Sequence, residues 1–471
     1  AVAVGAGIFS VGAQAAAFHA GPAVIISFLI AGIVCGAAVM CYAEFASMIP
    51  VAGSAYTFTY TTVGEIMAWI IGWDLILEML MAGSVISKYW GVYLNDFMRL
   101  MGWNANTNLT FGSFHIDIAP IIIVAFFTTL LVFGTKIGAR VDGAMTVLKI
   151  AIVFFVVIVG FFYVKASNFT PFIPPSQPAS TVEGSSAVTG VMTQPLWQFA
   201  TGMTPSVYGV PGILSGAALV FFAFIGFDVV ATASEETKNP HKNVPLGIGV
   251  GMLLIIVMYM LVAVVTTGMV SYADLAKQDS PSLATAFELV GADWAAKIIS
   301  FGIVLGLATV VMVLLLGLTR IVFAMSRDGL LPRGLSKTGK HGTPAALQIV
   351  VGAVVALVAA FFDIGVLSDM VNIGTLSAFT LVAISIPIMR KKRPDLPRAF
   401  KMPVSPWFPI LIAMANFWLM LNLSVLTWIR FVVWLVVGVA IYFGYGYWHA
   451  RLGKGDLTET LSAETDKAVN G

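Results

Sequence analysis

Apolar runs long enough to cross a bilayer recur along this chain, and they limit its fold more than any other feature. A spanning helix needs about 20 consecutive, mostly apolar residues. Hydrocarbon offers no water to backbone N–H and C=O groups, so such runs fold as helices that satisfy their own hydrogen bonds. About twelve segments can be marked off by length and period. Segment 1 runs to about residue 20, segment 2 covers about 23–49 and segment 3 about 66–100. Segments 4 and 5 are about 119–134 and 142–164, and segments 6, 7 and 8 about 213–234, 245–270 and 294–326. Segments 9 to 12 are about 344–362, 366–389, 405–426 and 430–449. A first segment of only one helical turn before Gly5 is short for a span, so the front half of that helix is expected to precede Ala1.

Composition rules out the main alternative. Of 471 residues, 59% are hydrophobic and 10% charged, with a mean hydropathy of +0.94, too few polar side chains to coat a soluble body of this size. The chain therefore reads as an all-α polytopic membrane protein, with the lipid bilayer as its surroundings. No basic patch is interleaved with aromatics, so nucleic acid is not an expected partner. No CxxC, HExxH or histidine cluster occurs, so neither a metal site nor an enzyme is indicated. Cys35 and Cys41 point to different faces of one helix, which excludes a disulfide within it.

Lys and Arg set the expected orientation. One side carries Lys136, Arg140, Lys238, Lys242, Arg327, Arg333, Lys337, Lys340, the run Arg390-Lys391-Lys392-Arg393, Arg398, Lys401, Arg451 and Lys454. The other carries Lys88, Arg99, Lys165, Lys277, Lys297 and Arg430. The bias, about three to one, makes the first side cytoplasmic. Both ends, including the polar tail 452–471, then lie inside, and the Pro/Ser/Thr-rich loop 165–212 lies outside.

Two segments are interrupted. Segment 1 opens with Ala3-Val4-Gly5-Ala6-Gly7, and segment 6 carries Gly226 and then Asp228 at bilayer depth before the charged stretch 234–240. Irregular backbone at that depth lines protein or trapped water, and paired interrupted segments point to a transporter's substrate site. Residues 1–164 and 213–390 each hold five segments opening on a break. Five is odd, so the second set is inverted relative to the first. Segments 11 and 12, residues 391–451, fall outside this repeat; their Trp and Tyr suit interface anchoring or contact with a small membrane subunit or a second copy.

The two breaks offer complementary chemistry. Freed N–H groups at Gly5, Ala6 and Gly7 start a half-helix whose positive end can hold a carboxylate, and glycine allows close approach. The carbonyls of Phe222, Ala223 and Ile225 end a half-helix and attract a cation. An α-amino acid carries both groups on one carbon. Phe227 and Phe224 are placed to cover it.

Residues 4–9 (VGAGIF), 50–60 (PVAGSAYTFTY), 73–79 (WDLILEM), 221–240 (FFAFIGFDVVATASEETKNP) and 319–332 (TRIVFAMSRDGLLP) resemble the amino acid–polyamine–organocation superfamily. Among its members, bacterial proteins of the cationic amino acid transporter family look most similar. The departures are the missing start of segment 1 and about twelve spans, where animal members have about fourteen and similar bacterial members about twelve. The resemblance implies the five-plus-five inverted repeat of the leucine-transporter fold, alternating access and amino acid substrates. It implies that Glu78 faces the site, with Asp74 one turn earlier on the same face. It also puts the Lys149 amine near the carbonyls around Val4 and Gly5, where sodium-coupled relatives hold a cation. A snorkelling role for Lys149 is the alternative.

The expectation is a secondary transporter in a bacterial plasma membrane, importing L-amino acids by proton-coupled symport, with no cofactor besides the coupling proton. An exchanger on the same fold and an amino acid-binding sensor remain the alternatives. The residues facing the site favour small or medium neutral amino acids, with cationic ones open. Glu44 and the pair Glu235-Glu236 sit at cytoplasmic helix ends, where gating or capping would use them.

Overall fold

A computed structural model describes the chain apart from residues 1–3, 6, 49–55, 57–58, 61–63, 104–106, 112–113, 135, 182–189, 227–239, 279–280, 340–341, 393, 395–397, 399 and 451–471. It is helical almost throughout. Seven helices are long and apolar enough to cross a membrane, and four shorter apolar helices accompany them among the described residues. Segments 2 to 5 are the helices Val24–Met48, Glu65–Leu100, Ile118–Phe133 and Lys136–Phe161. Segments 7 to 10 are Pro240–Met269, Asp293–Arg327, Ala345–Phe361 and Ile364–Lys392. Segment 11 is Trp407–Leu421; segment 12 is Val425–Ile441, extended by a π-helical turn, Tyr442–Gly446.

Segment 1 is irregular. It passes from a π-helical turn at Gly7–Val11 through Gly12–Ala15 to a second π-helical turn at Ala16–Ala20. Gly21, at φ 60°, then redirects the chain into Gly21–Ala23 and segment 2, a conformation that favours glycine. Segment 6 runs as Gly209–Val220 and tightens to a 3₁₀ turn at Phe221–Phe224, after which Ile225 and Gly226 are not helical.

Two short hairpins lie outside the spans. Asn108–Phe111 pairs antiparallel with Phe114–Asp117, with Asn108 opposite Asp117. Gln177–Pro178 pairs with Ser206–Val207. Segment 3 runs through the middle of the bundle, packing along segments 8 and 10, while segments 2 and 7 pack together. Tryptophans fasten segment 12 to segment 3. Trp434 stacks on Trp73 at 4.5 Å, and each indole N–H donates to the other's carbonyl. Trp69 donates to the Gly438 carbonyl at 3.0 Å. These rings pack within the chain, whereas Trp407 and Trp448 are exposed, as anchoring at an interface requires.

Glu44 closes the basic end of the bundle. Its fully buried carboxylate accepts from Arg390 Nε at 2.8 Å, from Arg390 at the second oxygen at 2.7 Å, and from the Met402 N–H at 2.8 Å. Arg398 approaches at 3.8 Å. The cluster ties the end of segment 2 to the connection between segments 10 and 11. Removing one charge of such a pair strands the other, at a cost of about 3–5 kcal/mol. Glu44→Gln is therefore expected to lower the melting midpoint in detergent clearly; an unchanged melting curve would show that the clamp adds no net stability.

Candidate functional site

The two breaks meet. Gly7 lies so close to Ala223 that a Cβ built on it would fall 2.5 Å from the Ala223 Cβ, closer still to its Cα, and 3.0 Å from its N. Only glycine allows that approach. The start of one half-helix is thus set directly against the end of the other. Val4, Gly5 and Gly7 are all buried beside it.

The described helical run of segment 6 leaves off at Phe224. Ile225 is extended (φ −66°, ψ 145°) and Gly226 has φ 107°. The Phe222 carbonyl accepts from the Ile225 N–H at 3.3 Å. The Ala223 carbonyl accepts from the Tyr259 hydroxyl at 2.6 Å. A carbonyl oxygen has two lone pairs, so each keeps capacity for another donor. Phe224 packs edge-on against Phe28 and tilted against Tyr259, so it belongs to a buried aromatic cluster beneath the break. Ala3, Ala6, Phe227, Asp228, Glu235 and Glu236 lie outside the described residues.

A second tyrosine braces segment 1. Tyr93 of segment 3 donates to the Phe9 carbonyl at 2.7 Å, and Ser10 donates to the Tyr93 oxygen at 3.1 Å. The carbonyl sits inside the π-helical turn, a geometry often found at functional sites. Neither Tyr93 nor Tyr259 was singled out by the sequence. The available signal was a tyrosine at mid-span, whose hydroxyl needs a partner when buried.

Glu78 is fully buried in segment 3. Asp74, one turn away, is equally buried and accepts from Ser377 of segment 10 at 2.7 Å, so its described partner lies across that helix interface.

Lys149 is 1% exposed, which rules out a snorkelling side chain. Its stem lies on segment 8 at Gly306, where an added Cβ would sit 3.0 Å from the lysine Cγ and 3.2 Å from its Cε. One turn away, Ile152 fills the corresponding space at Gly302. Gly302 and Gly306 form a G-x-x-x-G pair, the small-residue spacing that lets membrane helices approach closely. That pair was the legible signal for where Lys149 points. Among the described residues no group of three or more His, Cys, Asp or Glu is arranged to hold a metal ion.

Comparison with known proteins places the chain in a family. A family model described as "Amino acid permease" matches residues 1–443. The branched-chain amino acid permease of Bacillus subtilis (strain 168) is 42% identical over 459 residues, covering 96% of this chain and 91% of the relative. The methylthioribose transporter of the same organism is 39% identical over 457 residues, covering 96% and 92%. Cationic amino acid transporter 3 of Arabidopsis thaliana, described as mitochondrial, is 36% identical over 394 residues, covering 82% of this chain and 60% of its own length. All three are named as permeases or transporters, not enzymes.

Proposed function

This chain belongs to the amino acid permease family, and on that premise we propose that it is a secondary active transporter importing L-amino acids across a bacterial plasma membrane by alternating access, with proton symport. The observation that carries the reading is the backbone contact between Gly7 and Ala223. It sets a half-helix N-terminus, which attracts a carboxylate, beside a half-helix C-terminus, which attracts an ammonium. A zwitterion bridges the two without a basic side chain. Segments 1–5 and 6–10 are the two inverted halves in this reading, with both chain ends cytoplasmic. The odd count of five and the paired breaks support it.

The substrate side chain is apolar and of small to medium size. Ala223 and Leu307 are small or apolar buried residues near the breaks and on segment 8. The name of the branched-chain relative supports the same class. Methylthioribose is the second reading, because the relative named for it is nearly as similar over the same length. That molecule has no carboxylate or ammonium, so the same backbone groups would meet hydroxyls instead. A competition panel decides. L-Leucine, L-isoleucine, L-valine and L-alanine are expected to displace a bound labelled amino acid, while their decarboxylated amines fail. Displacement by methylthioribose and by none of the amino acids would overturn the reading.

Glu78 is the remaining acid of the proposed site, contacting the substrate amine. Glu78→Gln keeps the shape and removes the charge, and charge-assisted hydrogen bonds are roughly twice as strong as neutral ones. Affinity is expected to fall about tenfold. Unchanged affinity across the panel would assign Glu78 to packing alone.

A further inference from the structure

Three spans end around one cavity that the central site does not use. It measures about 620 Å³. It lies between the turn after segment 5 (Phe162, Lys165, Asn168), the end of segment 7, Lys277 just beyond the short helix Tyr272–Ala276, and Leu289 shortly before segment 8. This is within the size range of small-molecule sites, about 300–1,000 Å³. Its walls are built. The Lys165 N–H and the Asn168 side-chain amide both donate to the Gly268 carbonyl, at 2.8 and 2.7 Å, and fasten the turn to segment 7. Val164 and Phe169 close over Gly268 so tightly that a Cβ there would fall 2.8 Å from Val164 and 2.9 Å from Phe169.

The charges lining this cavity do not cancel. Asp274 accepts from Lys277 at 2.8 Å through one oxygen and from Ser271 at 2.7 Å through the other. An ammonium has three donors, so Lys277 keeps room for a second acceptor. Lys165 is exposed, and among the described residues its side chain makes no hydrogen bond and no ion pair. One positive charge is therefore in excess among the lining residues. The second feature is depth. Phe161, the last residue of segment 5, and Trp294, the second residue of segment 8, are both exposed, and Trp294 packs edge-on against Phe155 at 5.9 Å. Indole rings at the ends of spans mark the headgroup level of a bilayer. Phe162 and Leu289 are exposed as well and line the cavity itself, which gives it an apolar lip at that level.

We propose that this cavity seats the headgroup of an anionic phospholipid, in the leaflet that faces outward in the orientation given above. Lys165 and Lys277 hold the phosphate, and Phe162 and Leu289 meet the glycerol and the first acyl carbons. A phosphodiester carries one negative charge, which the single excess positive charge matches, and lysine binds phosphate as a point charge. Any phosphate could satisfy the lysines. The exposed apolar lip selects a lipid, because a soluble anion gains nothing by covering it. A zwitterionic headgroup would bring its own cation against the two lysines. The lipid would join the end of segment 5, which carries Lys149, to the connection after segment 7. The proposal is independent of which solute is carried.

The test is native mass spectrometry of the purified, delipidated protein in detergent, titrated with dioleoyl-phosphatidylglycerol. Wild type is expected to hold one such lipid in preference to dioleoyl-phosphatidylcholine. Lys165→Gln is expected to weaken that lipid about fivefold, the measure of one lysine beside a lipid headgroup. Asp274→Asn keeps an acceptor for Ser271 and removes the opposing charge, so it is expected to bind the lipid more tightly. Lys337→Gln makes the same charge change on the opposite, basic side of the protein and is expected to leave the affinity unchanged. Lys165, Asp274 and Lys337 are all exposed, so none of these changes threatens folding. Equal affinity across the four proteins, or an equal loss in Lys165→Gln and Lys337→Gln, would overturn the proposal. Glycerol 3-phosphate is expected not to displace the lipid; displacement at equal concentration would show a site for soluble anions and overturn it as well.

Discussion

Lys149→Met is expected to abolish accumulation driven by a pH gradient and to bind amino acid, at every pH, with the lower affinity of the deprotonated wild type. One proton crossing one pH unit supplies about 1.4 kcal/mol, enough for about tenfold accumulation of a co-transported solute. The variant is expected to bring that ratio to one. The argument starts from burial: Lys149 is 1% exposed and its stem lies along Gly306 of segment 8. A lysine held so deep in a bundle is retained for a function. In the proposed cycle the ammonium reaches from segment 5 to the carbonyls around Val4 and Gly5, and holds the half-helix in its substrate-ready shape. Loss of the proton releases it. Coupling requires that proton and substrate each favour the same conformation, and the two effects are reciprocal. Methionine keeps the length without the charge. Lys149→Arg keeps the charge but cannot release the proton, so it too is expected to lose coupling. Wild-type accumulation by either variant would place the proton carrier elsewhere, with Glu78 and Asp228 next in line.

Gly7→Val is expected to weaken tight substrate binding by about 100-fold or more and to stop transport. An added Cβ collides with the Ala223 backbone as well as its side chain. Ala223→Gly therefore cannot restore the fit, because the Cα that blocks the new atom remains. The half-helices would be forced apart, and the N–H groups and carbonyls that bracket the substrate would no longer face one another. Decades of affinity rest on such positioning, since each 1.4 kcal/mol is tenfold. The measurement is binding of labelled L-leucine alongside gel filtration and melting in detergent. Tight binding by a folded Gly7→Val protein would remove the backbone contact from the mechanism.

Much of the fold was legible because bilayer thickness fixes helix length. Segment 3, expected at about 66–100, is Glu65–Leu100. Helix ends were less legible. Segment 5 begins at Lys136 rather than near residue 142, because a hydropathy window stops at the polar residues while the helix continues through them. Segment 11 ends at Leu421 and segment 12 already begins at Val425, capped by the Ser424 hydroxyl on the Thr427 N–H at 3.2 Å. The second break was readable from Gly226, which has the φ that glycine favours. What one sequence does not carry is partnership at long range. Periodicity shows which face is buried but not against what. Tyr259 and Ala223, Tyr93 and Phe9, and Glu44 and Arg390 are joined only by the folded chain. The burial of Lys149 was ambiguous by depth alone, until Gly302 and Gly306 showed a groove for segment 5 to enter.

Uptake into proteoliposomes loaded with no amino acid tests the central claim most directly. The lumen is made alkaline relative to the outside, and entry of labelled L-leucine is followed over time. The account predicts accumulation above the external concentration, collapsing when a protonophore removes the gradient. Uptake that requires preloaded amino acid and ignores the gradient would contradict symport and make the protein an exchanger. Entry of labelled methylthioribose, with no amino acid entering under any gradient, would contradict the substrate as well.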